Sequence, residues 1–264
     1  MSIYPSGTHV TVTGITATAI NGNVSARNIF RTSTQADFLY CKAIITSGTS
    51  VNSGAFETTN YGSVKNCIVD GTDGTCTYGI ELLANGATGH ENLVVGCTTG
   101  FYLNGTSSFV GCVAANCVTG VTCAGANSSI CRNFTAYNCT TFASLAENYP
   151  VSFLECIAQS CSTVFSLSAI NSYLNLRNFF YDDVTTFYAG AYSTQYYLWN
   201  TPTDVGAQIL VDPSNGNYQV KPSLSALVNL SVPRNENTTD YLQAGLTQQV
   251  VAGGGGSTAS VVIL

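Results

Sequence analysis

The sequence predicts an all-β protein: a single-stranded parallel β-helix, which is a solenoid with coils of about 22 residues and a capping segment at each end. Three observations lead to this fold class. One residue column recurs at coil-length intervals, apolar residues alternate with the period of a strand, and helical repeat signatures are missing. The recurring column places cysteine, and finally valine, at intervals of 20 to 23 residues: Cys76, Cys97, Cys117, Cys139, Cys161 and Val184.

Two further columns keep the same register. Four residues after each member of the first column stand Ile80, Phe101, Val121, Ala143, Phe165 and Tyr188. Six residues after it stand Leu82, Leu103, Cys123, Leu145, Leu167 and Gly190. A unit of this length is too short for a helix pair and lacks the leucine-rich repeat signature. We therefore expect each coil to contain two or three short strands that stack about 4.8 Å from the next coil.

Polar pairs precede the cysteine column, and we predict that they form turns, because Asn and Asp tolerate left-handed backbone. These pairs are Ala115-Asn116, Tyr137-Asn138, Gln159-Ser160 and Asp182-Asp183. A column of threonines also keeps the register: Thr99, Thr119, Thr141, Thr163 and Thr186. The sequence leaves open whether their hydroxyls point inward or outward.

The pattern divides the chain into four segments. Residues 1–37 are predicted to cap the first coil, 38–191 to form the β-helix, 192–252 to cap the other end, and 253–264 to form a terminal arm. Within the β-helix, residues 46–62 are predicted to be a loop, a place where solenoids tolerate insertions and often bind partners.

The terminal arm has a glycine hinge, Gly253 to Gly256, followed by the β-prone residues 259–264. Such a strand needs a partner, and we expect it to add to a neighbouring chain. Aromatic residues in the preceding segment are predicted to plug the open end or to contact a partner subunit: Tyr192, Tyr196, Tyr197 and Trp199.

Composition restricts the range of partners. Charged residues make up only 8% of the chain, the net charge is −6, and Lys and Arg form no cluster, which argues against nucleic-acid binding. No apolar run approaches the roughly 18 residues of a membrane span. A surface with so few charges suits permanent contact with other protein.

Eleven cysteines raise the question of metal or disulfide chemistry. No two lie closer than 5 residues, and His9 and His90 are the only histidines, so zinc-site spacing is missing. We predict buried, reduced thiols that pack as small apolar side chains. Because the N-terminus has neither a basic nor an apolar region of the signal-peptide type, we expect synthesis and assembly in a cytoplasm.

The coil repeat over roughly residues 38–191 resembles the right-handed parallel β-helix, or pectin-lyase-like, superfamily. The later segment is similar to the ending of many bacterial and phage β-helix proteins, with Leu224 and Ser225 departing from that pattern. The matching residues are Asp212-Pro213, Asn215-Gly216, Tyr218, Pro222, Ala226 and Asp240-Tyr241. The resemblance implies a structural type found in the cement proteins and tailspikes of tailed phages, and it implies threefold association.

The residues do not predict an enzyme. Glycan-cleaving members of the superfamily carry clustered carboxylates, whereas Gly89-His90-Glu91 and the pair Asp182-Asp183 are the nearest fragments in this chain. Between Asn92 and Asn178 the acids are Glu147 and Glu155, and the bases are Arg132 and Arg177. Glu155 and Arg177 are one coil apart, so we predict an ion pair between them. We assign no catalytic, cofactor-binding or metal-binding residue.

These features predict a non-enzymatic virion structural protein that decorates or cements the capsid of a tailed bacteriophage. We expect a homotrimer that contacts the major capsid protein or another virion protein. The alternative is a phage tailspike or fibre-like protein that binds, or also cleaves, host surface polysaccharide, with Tyr102 and Tyr137 stacking on sugars. A bacterial adhesin would require an export route that we do not expect for this chain.

Overall fold

The computed structural model describes most of the chain between residues 10 and 263. The described residues are 10–19, 28–31, 35–59, 61–83, 85–125, 128–146, 150–168, 173–190, 195–198, 201–224, 232–233, 241–242 and 260–263.

Within these residues the chain winds through eight coils of three strands each and a ninth coil of two strands. In chain order the strands are β1 (Val10–Thr13), β2 (Thr16–Ala19) and β3 (Phe30–Arg31) in coil 1; β4 (Ala36–Leu39), β5 (Lys42–Ile45) and β6 (Ser50–Thr58) in coil 2; β7 (Ser63–Lys65), β8 (Ile68–Asp70) and β9 (Thr75–Leu82) in coil 3; β10 (Thr88–His90), β11 (Leu93–Val95) and β12 (Thr99–Leu103) in coil 4; β13 (Ser108–Val110), β14 (Val113–Ala115) and β15 (Thr119–Cys123) in coil 5; β16 (Ser129–Arg132), β17 (Thr135–Tyr137) and β18 (Thr141–Leu145) in coil 6; β19 (Pro150–Leu154), β20 (Ile157–Gln159) and β21 (Thr163–Leu167) in coil 7; β22 (Tyr173–Arg177), β23 (Phe180–Asp182) and β24 (Thr186–Ala189) in coil 8; and β25 (Gln195–Leu198) and β26 (Thr203–Asp204) in coil 9. After the coils come β27 (Leu210–Asp212), a 3-10 turn (Pro213–Asn215), β28 (Asn217–Val220), β29 (Val232–Pro233), β30 (Tyr241–Leu242) and β31 (Ser260–Ile263).

The coils stack into three parallel sheets. Sheet 1 contains the first strand of every coil, sheet 2 the second and sheet 3 the third, and each strand pairs with its counterpart in the next coil. Paired residues lie 20 to 26 positions apart along the sequence. The predicted fold class, an all-β parallel β-helix solenoid, is confirmed.

The predicted columns are interior ladders. Pairing of Phe101 with Val121, and of Val121 with Ala143, places the column that begins at Ile80 inside sheet 3, and the cysteines are buried beside it. In coil 8 the columns leave the interior, since Val184 is half-buried and Tyr188 is exposed. Phenylalanines fill the interior in edge-to-face contact: the ring centroids of Phe142 and Phe153 are 5.4 Å apart, and those of Phe142 and Phe179 are 5.1 Å apart. Each such aromatic pair adds about 0.5–1.5 kcal/mol beyond its buried area.

The predicted turns also form. Asn116, Asn138, Ser160 and Asp183 have φ values of 50° to 54°, in the left-handed region. The side-chain amide of Asn138 donates to Oδ1 of Asn116 across 2.7 Å, so the turn column has its own polar ladder. The pair Asp182-Asp183 therefore lies at a turn, as predicted from turn preference.

The solenoid begins earlier than the sequence pattern placed it. Strands β1 to β3 pair in parallel with β4 to β6, so the described residues 10–19 and 28–31 supply the three strands of a coil inside the segment predicted to be a cap. Residues 46–62 are not a loop, because β6 occupies nine of them and pairs with β9. The pairing of β6 with β9 shifts register between Val51 and Gly54. Because of this irregularity, the sequence pattern did not predict the strand.

The C-terminal region returns to the side of the solenoid. Strands β27 and β28 form a hairpin whose Leu210 and Tyr218 pack on Val113 and Ala115 of sheet 2. Oε1 of buried Gln159 accepts hydrogen bonds from the amides of Ile209 and Leu210, both at 2.9 Å. Tyr192 and Trp199 lie outside the described residues, as do the side chains of Tyr196 and Tyr197.

The strand of the terminal arm pairs within the same chain. Strand β31 lies parallel to β2, with Ala17 opposite Val261, and it extends sheet 2 at its N-terminal edge. The predicted need for a strand partner is met by the first coil of the same chain instead of a neighbouring chain.

Candidate functional site

The outer face of sheet 3 carries ordered rows of hydroxyl side chains. Strands β15, β18 and β21 share a pattern in which the first and fourth residues are half-buried while the other three are buried. The first and fourth residues therefore face outward, and this settles the orientation of the threonine column in these coils. We call this set the hydroxyl face. It consists of two rows along the solenoid axis: Thr119, Thr141 and Thr163 in one, and Thr122, Ser144 and Ser166 in the other.

An aromatic pair continues the two rows toward the N-terminal coils. Tyr102 pairs with Thr122 in one row, and Tyr78 precedes Thr99 and Thr119 in the other. The two tyrosine rings have centroids 4.9 Å apart and are tilted by 52°. Both side chains are partly exposed, so their rings form a small aromatic platform beside the hydroxyl face.

Charged residues end the row of Tyr102 and Thr122 at the N-terminal coils, whereas Tyr78 of the other row pairs with Gly54. Arg31, Glu57, Glu81 and Tyr102 are successive partners on neighbouring strands. Nε of Arg31 lies 2.8 Å from Oε1 of Glu57, whose Oε2 accepts a 2.7 Å hydrogen bond from the Asn28 amide. Oε2 of Glu81 accepts a 2.7 Å hydrogen bond from the Gly54 backbone amide. Both carboxylates are buried, at 5% and 6% exposure.

The two carboxylates have different environments. Burial, helped by the nearby Glu57, raises the pKa of Glu81 to about 7 against the lowering effects of the Gly54 amide and Arg31. Below about pH 7 Glu81 is mostly protonated, and beside the Arg31–Glu57 ion pair the cluster then carries no net charge. The sequence did contain a signal for this cluster, since Arg31, Glu57 and Glu81 are 26 and 24 residues apart, each one coil. It was missed because residues 46–62 were interpreted as a loop.

The predicted ion pair between Glu155 and Arg177 is present. Glu155 is 2% exposed, its Oε1 lies 2.5 Å from an Arg177 guanidinium nitrogen, and Nε of Arg132 lies 4.0 Å from its other oxygen. Two cations from coils on either side thus hold one buried carboxylate. This cluster lies at the turn between sheets 1 and 2, far along the chain from Glu57 and Glu81.

The residues that the sequence offered for glycan cleavage or sugar stacking do not lie together in one site. His90 lies on β10 of sheet 1 next to Lys65, and burial, with a smaller effect of that lysine, lowers the pKa of its imidazole. Burial, and then Asp183 and Asp204, raise the pKa of Asp182 at the end of sheet 2. Glu147 lies outside the described residues. Tyr137 contacts Tyr218 of the hairpin, with ring centroids 6.1 Å apart, so only Tyr102 of the two predicted sugar-stacking tyrosines belongs to the sheet 3 surface.

The thiols belong to the core. All eleven cysteines are free and buried, as predicted. Burial raises the pKa of Cys112 to about 12, and it raises that of Cys67 as well, which disfavours the thiolate at these two positions. The pKa of Cys41 is lowered instead, chiefly by its hydrogen bond with Cys67. Among the residues described, no three His, Cys, Asp or Glu side chains are placed to hold a metal ion. The same part of the chain contains no helix long and apolar enough to cross a membrane.

Comparison with known proteins yields no family model, no curated protein and no solved structure that matches this chain.

Proposed function

We propose that this protein is a non-enzymatic structural protein of a tailed-bacteriophage virion, a homotrimeric β-helix that decorates or cements the capsid. Within this proposal the chain is a member of the pectin-lyase-like superfamily, of the cement and tailspike-like type, and its partners are the major capsid protein or another virion protein. The protein assembles in the host cytoplasm and resides on the particle.

The aliphatic outer face of sheet 2 is the observation that best supports this proposal. In coils 5 to 8 the hairpin residues Ile209 and Leu210 cover this face. In coils 2 to 4 the outward side chains of Ile44 and Ile68 are only partly buried, with Lys42 and Asp70 beside them in the same rows, and Leu93 packs against the hairpin cluster. Half-exposed aliphatic residues such as Ile44 and Ile68, with one Lys and one Asp between them, favour contact with another subunit.

The regular stacking of the coils is a second supporting feature. Coil-to-coil pairing runs without interruption from β1 to β26, and β31 covers one end of sheet 2. A solenoid of this kind presents fixed surfaces at a regular repeat, which suits attachment to a symmetric shell.

The proposal is tested by mass and by particle binding. Light scattering on the purified chain should give three times 27.7 kDa. The protein should also sediment with emptied capsids of the virus that encodes it. Ile68→Lys places a charge on the sheet 2 face and should reduce the assembly to monomers, whereas Thr106→Lys, at an exposed site between β12 and β13, should leave it trimeric. A wild-type monomer that does not sediment with capsids contradicts the proposal.

A further inference from the structure

Four buried cysteines are stacked in register at the turn between sheets 2 and 3. We call them the thiol column, with one member in each of coils 4 to 7: Cys97, Cys117, Cys139 and Cys161. Each stands two residues before a threonine of sheet 3, and these threonines pair from coil to coil, as Thr119 does with Thr141. The amide of Val118 also donates to the carbonyl oxygen of Cys97 across 3.2 Å, so the pairing extends through the column. Neighbouring members therefore lie about 4.8 Å apart along the solenoid axis.

The four thiols share one orientation. Each donates a hydrogen bond to the carbonyl oxygen two residues before it: Cys97 to Val95 at 3.8 Å, Cys117 to Ala115 at 3.4 Å, Cys139 to Tyr137 at 3.5 Å and Cys161 to Gln159 at 3.6 Å. Cys76 of coil 3 donates instead to the carbonyl oxygen of Tyr78, and so it does not belong to the set. Because the side chains are oriented alike, their sulfur atoms repeat at the spacing of the coils.

We propose that the thiol column binds soft closed-shell cations, namely Cu⁺, Ag⁺ and Hg²⁺, each held in line between the sulfur atoms of two cysteines in successive coils. Thiolate sulfur is the ligand that soft cations prefer. Binding forms two metal–sulfur bonds, releases the two thiol protons to solvent and changes no oxidation state. The inference does not depend on the capsid role.

The sulfur spacing fits a linearly coordinated ion. A metal–thiolate bond is about 2.3 Å long, so two sulfur atoms on opposite sides of one ion are about 4.6 Å apart. A disulfide needs its sulfur atoms about 2.05 Å apart, which would require the side chains to leave their shared orientation. A structural zinc ion needs four ligands, and among the described residues no three His, Cys, Asp or Glu side chains are placed to hold one ion. Two sulfur atoms are enough for a linear ion.

The column is buried but lies directly behind the surface. Cys117 is only 3% exposed, whereas its neighbours Asn116 and Val118 are both exposed. The Cys139 thiol interacts with that of Cys117 and raises its pKa, which agrees with side chains that face each other across one coil step. Two thiolates and one Hg²⁺ form a neutral unit, so this ion avoids the cost of burying a net charge. Local opening of one turn gives an ion access to the column.

The test counts ions bound to the full-length chain. Reduced protein is loaded with HgCl₂ and equilibrated against dilute glutathione, which removes ions held by a single sulfur atom, and native mass spectrometry gives the number retained. Loading is repeated during refolding from urea, so that slow entry is not mistaken for a lack of binding. Ag⁺ serves as an air-stable substitute for Cu⁺, and Zn²⁺ as the tetrahedral ion that should not be retained. X-ray absorption at the mercury edge should show two sulfur neighbours.

Two matched double variants separate the column from the other thiols. Cys117→Ala with Cys161→Ala leaves Cys97 and Cys139, which are two coils apart, so this variant should bind two Hg²⁺ fewer than wild type. Cys97→Ala with Cys161→Ala leaves Cys117 and Cys139 in successive coils, so it should bind only one fewer. Both variants lose two buried thiols, and the remaining cysteines outside the column contribute equally to all three proteins.

Three results would overturn the inference. The first is an equal loss of ions in the two double variants, both shown by circular dichroism to be folded. The second is a wild-type chain that retains no more Hg²⁺ than Cys117→Ala with Cys161→Ala does. The third is an absorption spectrum with one sulfur neighbour, or with more than two, because neither fits an ion held in line between two cysteines.

Discussion

Replacing Glu81 with glutamine should stabilise the protein near neutral pH. In the folded chain the pKa of Glu81 is about 7, against an ordinary value of 4.5 for an unfolded glutamate. A raised carboxyl pKa means that the folded state holds its proton over a pH range in which the unfolded state has lost it. Stability is therefore full below about pH 4.5, falls as the pH rises to about 7, and then stays at the lower level.

The size of the effect follows from the pKa difference. A pKa of about 7 in place of 4.5, at 1.36 kcal/mol for each tenfold change in acidity, corresponds to about 3 kcal/mol lost by pH 7 to 8. Glutamine keeps an oxygen that accepts the Gly54 amide and cannot ionise, so Glu81→Gln should recover most of this free energy at pH 8 and little at pH 4.

The assay is urea unfolding followed by circular dichroism at several pH values from 4 to 8.5, for both proteins. Other titrating groups cancel in the difference between the two curves. Glu57→Gln is the control with the opposite sign: it removes the partner of Arg31 and should destabilise the protein at pH 7. If the difference between wild type and Glu81→Gln does not grow between pH 4.5 and 7, the reasoning about this buried cluster is wrong.

Three further predictions concern the framework that positions the surfaces. Phe142→Ala should cost about 3–5 kcal/mol of unfolding free energy, because its ring contacts several other buried phenylalanines. Denaturant unfolding measures this loss, and a loss below about 1 kcal/mol would contradict the packing. Asn138→Ala should cost about 1 kcal/mol through its φ of 50° and its lost bond to Asn116. Asn138→Gly loses the same bond but accepts the left-handed backbone, so it should cost less, as a pair of melting curves can show. Gln159→Leu leaves the buried amides of Ile209 and Leu210 without this acceptor and should release the hairpin. Limited proteolysis should then cut within residues 201–224 faster than in wild type, and unchanged cleavage would refute the anchoring role.

The coil repeat was readable from the sequence because its contacts recur at a fixed interval. Pairing of Thr119 with Thr141, and the left-handed turn at Asn138, involve residues one coil apart or within one turn. Each coil requires an apolar side chain at its inward positions and a small polar residue at its turn. The same pattern therefore recurs along the sequence. The ion pair between Glu155 and Arg177 was predictable for the same reason.

The first coils were harder to predict because their spacing is irregular. Strand β6 has a register shift, and residues in coils 1 to 3 pair at intervals of 24 to 26 instead of 20 to 23. Glu57 and Glu81 therefore fell outside the repeat, and only the pairing of their strands brings them together in a buried cluster.

By itself the sequence determined the solenoid, its interior ladders, its turns and its buried thiols. The tertiary structure decided which rows face outward, that the hairpin packs on sheet 2, and that β31 pairs with β2. The physical reason is the range of the contacts. Gln159 holds backbone amides 50 residues away, and Ala17 faces Val261 from the opposite end of the chain; neither contact repeats, so neither leaves a period in the sequence.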